Sequence, residues 1–143
     1  MHTASVASVS TTSSSKVLPV GLWIAQGLLA AVFLMSGFMK VSAPVDTLQA
    51  QMPWVAGSLG GLVRFIGVAE LLGAIGVVLP ALTRIKPMLT PLAASGLAVV
   101  MGLATITHLT RGEFGMMPVT LVIGAMAVFV AWGRGSQVPV QPR

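Results

Sequence analysis

The sequence predicts an all-α fold, an integral membrane bundle of four helices. Three observations lead there. Of the 143 residues, 55% are hydrophobic and only 8% charged, a balance outside that of a soluble domain of this size. Four apolar runs each approach the roughly 20 residues that a helix needs to cross a bilayer. Glycine, proline and basic residues separate these runs, and hydrocarbon leaves a crossing backbone no partner for its polar groups except its own helix.

Charge and cysteine usage narrow the chemistry. The net charge of +5 comes from basic residues scattered at the ends of apolar runs, which reads as a topology signal and predicts no nucleic-acid partner. With no cysteine in the chain, disulfides, thiolate metal ligation and a thiol relay are excluded. Any redox chemistry therefore uses a bound molecule.

Residues 1–17 form a tail whose Ser, Thr, Ala and Val cannot bury enough surface to order themselves, so disorder is expected. The first helix is predicted over about 18–41. Lys16 followed by an apolar run resembles a secretion signal, but the run is too long and no small-x-small cleavage site follows, so a retained helix is expected. Its end carries Phe33, Ser36, Gly37 and Lys40 on one face, with Lys40 placed to reach the interface on its long stem. In the connection over 41–61, Pro44 and Asp46 suit the start of a short surface helix and Pro53-Trp54 its end, with Trp54 suited to the membrane interface.

The second helix, about 62–82, is the core of the functional argument. At 100° per residue, Val63, Ile66, Gly67, Glu70, Gly73, Ala74 and Val77 share one face, so a carboxylate sits among small residues that permit close approach. A charge at the bilayer centre costs roughly 2.5–3.5 kcal/mol, and an intramembrane ionisable group is a functional-site hypothesis by default. Arg64 lies about 120° away on the same helix and is not an intrahelical partner of Glu70.

A basic turn, Arg84-Ile85-Lys86-Pro87, leads to the third helix, about 88–109. Ala94, Ala98 and Gly102 form a four-residue row expected to pack against a neighbour, and another face carries Met101, Ala104, Thr105 and His108. Arg111-Gly112-Glu113 reads as a solvated turn. The fourth helix, about 116–132, is nearly devoid of polar groups, and the tail after it, 133–143, is expected to be extended. Residues 18–134 thus form one domain.

Four crossings put both termini on one side, with Lys16, Arg84, Lys86, Arg134 and Arg143 and no acid. The positive-inside bias predicts cytoplasmic termini in a bacterial cytoplasmic membrane. Alternation brings Ser36, Lys40, Arg64, Thr105, His108 and Arg111 into the opposite half, with Glu70 deepest at about 12 Å. The terminal half holds little beyond Gln26 and Ser95, at similar depth and within reach of each other. Polar groups confined to one half predict a one-sided pocket in preference to a channel.

Three segments in this order carry a resemblance: Phe33-Leu34-Met35-Ser36-Gly37-Phe38-Met39-Lys40; Arg64-x-x-Gly67-x-x-Glu70-Leu71-Leu72-Gly73 with Gly76 and Leu79-Pro80; and Ala93-Ala94-Ser95-Gly96 through Met101 to His108. Together they resemble the DoxX-like family of small four-helix membrane proteins over about 18–134. That resemblance implies membership of redox assemblies, because relatives include a membrane subunit of a thiosulfate:quinone oxidoreductase and members tied to oxidative-stress complexes. It also implies that Lys40, Arg64, Glu70 and His108 occupy the family's recurrent polar positions.

The leading expectation is a subunit that binds a quinone or similar lipophilic ligand. An apolar slot would take ring and tail, His108 would donate to one oxygen, Arg64 or Lys40 would stabilise a reduced anion, and Glu70 would pass protons. Ser36 and Thr105 complete the candidate set. No catalytic residue is assigned, and no metal is expected: the nine methionines suit packing, and one membrane histidine cannot supply a pair to haem. Three alternatives stay open. Glu70 pairs with Lys40 or Arg64 only to hold helices in register; the chain is a small-molecule exporter or permease with Glu70 as its proton carrier; or it is a scaffold that recruits a soluble partner through the Trp54 loop. Expected partners are the lipid bilayer, a soluble oxidoreductase or another membrane subunit, and a second copy of the chain.

Overall fold

A computed structural model describes residues 16–55 and 59–143; the tail expected to be disordered lies, up to residue 15, outside them. The helices are α1 (Val17–Ser42), α2 (Val45–Gln51), α3 (Gly60–Thr83), α4 (Leu89–Thr110) and α5 (Met117–Trp132), with a 3-10 turn at Pro53–Val55. No strand occurs among the described residues. Four helices, α1, α3, α4 and α5 with its continuation, are long and apolar enough to cross a membrane. The protein is a helical membrane bundle.

Packing runs from α1 to α3, α3 to α4 and α4 to α5, and α5 closes the ring on α1. Lipid tails are as apolar as leucine, so burial against water cannot drive this; close packing of small residues does. The tightest backbone-to-backbone approach is at Gly37 and Gly67. A Cβ on Gly37 would lie 2.7 Å from the Gly67 carbonyl oxygen, and one on Gly67 would lie 2.8 Å from Lys40 Cβ. Elsewhere Gly73 faces Leu97, Gly76 faces Ala93 and Gly133 faces Leu22. The centre holds Leu22, Leu29, Phe33, Val77, Leu97 and Val130, while Leu28, Met35, Phe38, Phe65, Leu72, Leu92 and Val122 point outwards as the lipid-facing belt.

Several expectations are corrected here. In the row Ala94, Ala98, Gly102, the first is buried and the second packs on the core, but Gly102 is exposed with nothing near it. Four residues advance a helix by 400°, so a strict four-residue row drifts about 40° per step and Gly102 has turned towards lipid. Ser95 donates to its own helix, at the Pro91 carbonyl (2.8 Å), and does not meet Gln26. The segment after α5 is not extended from its start: the helix continues as a π-type turn over Gly133–Gln137 and straightens only beyond it. Gly133 permits this continuation, because it lies flush against Leu22 where no side chain fits.

Candidate functional site

The site begins with the Gly37–Gly67 approach. Lys40 follows Gly37 and Glu70 follows Gly67 by three residues each, so the contact that brings the backbones together also brings these two side chains face to face. Lys40 Nζ donates to both carboxylate oxygens of Glu70, at 2.9 and 2.8 Å, and to Ser36 Oγ one turn back at 2.5 Å. Glu70 is 2% exposed and Lys40 14%. An ammonium has three donors, and all three are engaged here.

Arg64 does not join that pair. Its Nη1 donates to the Lys40 carbonyl at 2.7 Å and its Nη2 to the Ala43 carbonyl at 2.6 Å. These oxygens belong to the end of α1, where the last carbonyls have no helical partner and carry the negative end of the helix dipole. Arg64 therefore caps α1 and fixes the level of Lys40.

Beside the pair lies a cavity of about 270 Å³. Ser36, Lys40, Glu70, Thr107 and His108 give it a polar side; Phe33, Ile66, Val100, Met101, Leu103 and Ile123 make the apolar wall. Met52 and Trp54 line it from the connection between α1 and α3, which folds against α3 through Leu48, Val55 and Val63. The structure thus brings Ser36, Lys40, Glu70 and His108 to one space. Thr105 goes elsewhere: it meets Thr120 at 2.8 Å and donates to the Met101 carbonyl at 2.8 Å, tying α4 to α5.

His108 is held from outside the cavity. Its Nδ1–H donates to Glu113 Oε2 at 2.7 Å, and Arg111 Nε donates to Glu113 Oε1 at 2.7 Å. The hydrogen bond from Arg111, and next that from His108, keep the Glu113 carboxyl below its ordinary range. Nδ1 is committed to Glu113, so Nε2 is the nitrogen left for a ligand. The turn read as merely solvated is therefore a support for the histidine. Glu113 lies five residues beyond His108, where the chain turns back at the end of α4, a signal that helical spacing alone does not register. Among the described residues no three His, Cys, Asp or Glu side chains gather as a metal site would require.

The sequence model of the DoxX-like family matches residues 24–130, about three quarters of the chain. The chain belongs to the DoxX-like family. No curated protein and no solved structure matches it. In this DoxX-like protein the matched region contains the whole cavity, the Lys40–Glu70 pair and the Arg111–Glu113–His108 support.

The opposite half holds what the sequence reading missed. Gln26 is fully buried, its Nε2 donating to the Val77 carbonyl, and its Oε1 accepts from Arg134 Nε at 2.7 Å. Arg134 lies over the Trp23 ring, 5.0 Å from its centroid. The apolar layer of Leu29, Phe33, Ala74, Val77, Leu97 and Met101 fills the core between this cluster and the cavity.

Proposed function

We propose that the cavity binds the head group of a lipophilic carbonyl compound, a quinone being the best fit, within a membrane subunit of a redox assembly. The observation that carries this reading is the union of a mostly apolar cavity with two differently held donors. Ser36 accepts from Lys40, so its own hydroxyl proton is available; His108 keeps Nε2 free. A quinone ring needs an apolar slot and a donor to each oxygen. The volume is slightly below the roughly 300–1,000 Å³ of pockets for drug-sized ligands, which suits a ring inside and an isoprenoid tail left in lipid.

In this reading Ser36 holds one carbonyl. His108, oriented by Glu113, turns Nε2 towards the other and is the group positioned to pass a proton to it on reduction. Lys40 and Glu70 form a buried ion pair beside the ring, able to re-partner when charge develops on the ligand. Electrons come from a soluble or membrane-bound oxidoreductase partner. The basic terminal end favours cytoplasmic termini in a bacterial membrane, so the cavity opens towards the periplasmic side.

A second reading rests on one observation: Glu70 closes both oxygens on Lys40, as a pin between α1 and α3 would. Titrating a short-tail quinone while following tryptophan emission separates the two, because Trp54 lines the cavity. Ligand binding predicts saturable quenching that weakens roughly tenfold in His108→Ala, a loss near 1.4 kcal/mol. Quenching that rises linearly with quinone, identically in both proteins, leaves only the pin.

A further inference from the structure

Arg134 has a need the protein does not meet. It is 5% exposed, and its guanidinium carries five donors, of which only Nε has a hydrogen-bond partner among the described residues, the neutral Gln26. Nη2 is wholly buried with no partner. The chain has three acids, Asp46, Glu70 and Glu113. Glu70 pairs with Lys40 and Glu113 with His108 and Arg111, all in the far half, and Asp46 lies in α2 on that same side. A buried cation without a counter-anion is costly, and the stacking of Arg134 on Trp23 offsets only part of that.

The level of the group identifies the missing anion. Trp23 is six residues into α1, about 9 Å from its start, and α1 with 26 residues is about 39 Å long against a hydrocarbon core of about 30 Å. Arg134 therefore sits at the headgroup boundary of the terminal side. Trp23 is 39% exposed and opens that position to lipid. Arg84 and Lys86 are exposed at the same end, and the C-terminal segment folds back to it, Arg143 N–H donating to the Arg84 carbonyl at 3.3 Å. Thr90 Oγ1, at the start of α4 on this side, is the other buried side-chain atom without a partner among the described residues, and the neighbouring Pro91 packs by Gly135, the residue after Arg134.

We propose that Arg134 anchors the phosphate of an anionic phospholipid, held beside Trp23 as a specific, stoichiometric lipid site. The fork of the guanidinium suits phosphate oxygens, and Arg84 and Lys86 add attraction for the net negative headgroup. The site is in the half opposite the cavity and stands or falls independently of quinone binding.

The test is native mass spectrometry of the full chain in detergent with equimolar phosphatidylglycerol and phosphatidylcholine. Wild type is expected to retain one phosphatidylglycerol in preference to phosphatidylcholine, roughly tenfold. Arg134→Gln is expected to lose that preference, and Arg134→Lys, which keeps charge but not the fork, to lose part of it. Arg84→Gln is expected to change it less than Arg134→Gln does, by at most about fivefold, as befits one exposed charge. Should Arg134→Gln fail to fold, wild type alone still decides: equal retention of the two lipids overturns the proposal. So does an unchanged preference in folded Arg134→Gln, or inorganic phosphate displacing the lipid at millimolar concentration, which would make the anion a soluble one.

Discussion

Lys40 and Glu70 show how far a single residue pair was legible. The sequence placed Glu70 in a membrane helix and named Lys40 and Arg64 as its candidate partners; it could not choose, because both reach the same level from different helices. The choice was made by the end of α1, whose bare carbonyls at Lys40 and Ala43 claim the planar fork of Arg64 and leave the ammonium to the carboxylate. Breaking this pair on one side strands a buried charge, so Lys40→Met is expected to destabilise the protein by about 3–5 kcal/mol. The double variant Lys40→Met with Glu70→Leu should recover most of that loss, measured by denaturant unfolding in detergent. Additive losses would show that the two side chains are not coupled.

At Glu113 the same scale gives a pH dependence. Its folded-state pKa is lowered below the ordinary value of 4.5 by Arg111 and His108. A depressed carboxyl contributes stability that is present above about 4.5 and is lost as pH falls through the lower folded value. Thermal melts between pH 6 and 3 should therefore show wild type falling towards Glu113→Gln, which lacks the increment throughout. A constant difference between the two across that range would contradict the assignment.

Among the elements, the existence of the four apolar helices was the most legible feature, because length and hydropathy state it directly. The inward face of α3 was legible as well, since Val63, Gly67, Glu70, Gly73, Ala74 and Val77 are all buried; what was not legible is which small residue meets which neighbour. Gly102 looked like part of a packing row and faces lipid; Gly67 looked like one small residue among several and sets the closest approach of α1 to α3. Gly67→Ala is expected to cost about 1–3 kcal/mol by overpacking, since its Cβ would meet Lys40 Cβ and the Gly37 carbonyl rather than a yielding side-chain end. Gly102→Ala, in open space, should be neutral or stabilise by up to about 1 kcal/mol through helix propensity. Equal effects of the two in thermal melts would mean that α1 and α3 are not held by this contact. The π-type continuation of α5 was invisible because a Gly-Arg-Gly sequence reads as a helix end, and only packing against Leu22 carries the helix onward.

For the whole molecule, the sequence indicated one polar half, and the structure adds a second polar centre at Gln26 and Arg134, with an apolar layer between them. The cavity half was readable because four of its charged or polar groups lie on helices whose alternation fixes their level. Its support was not: Glu113 acts through a turn, and Met52 and Trp54 come from a connection whose fold depends on α3. The architecture is of a DoxX-like membrane bundle with an apolar layer between the amphipathic cavity and the Gln26–Arg134 cluster.

The most direct measurement is mass spectrometry of lipophilic molecules that co-purify with the gently solubilised protein, comparing wild type with Glu70→Gln and His108→Ala. The account predicts a quinone enriched in wild type and lost from both variants while they remain folded. Equal lipophilic content in all three would contradict it and assign the Lys40–Glu70 pair to helix packing alone.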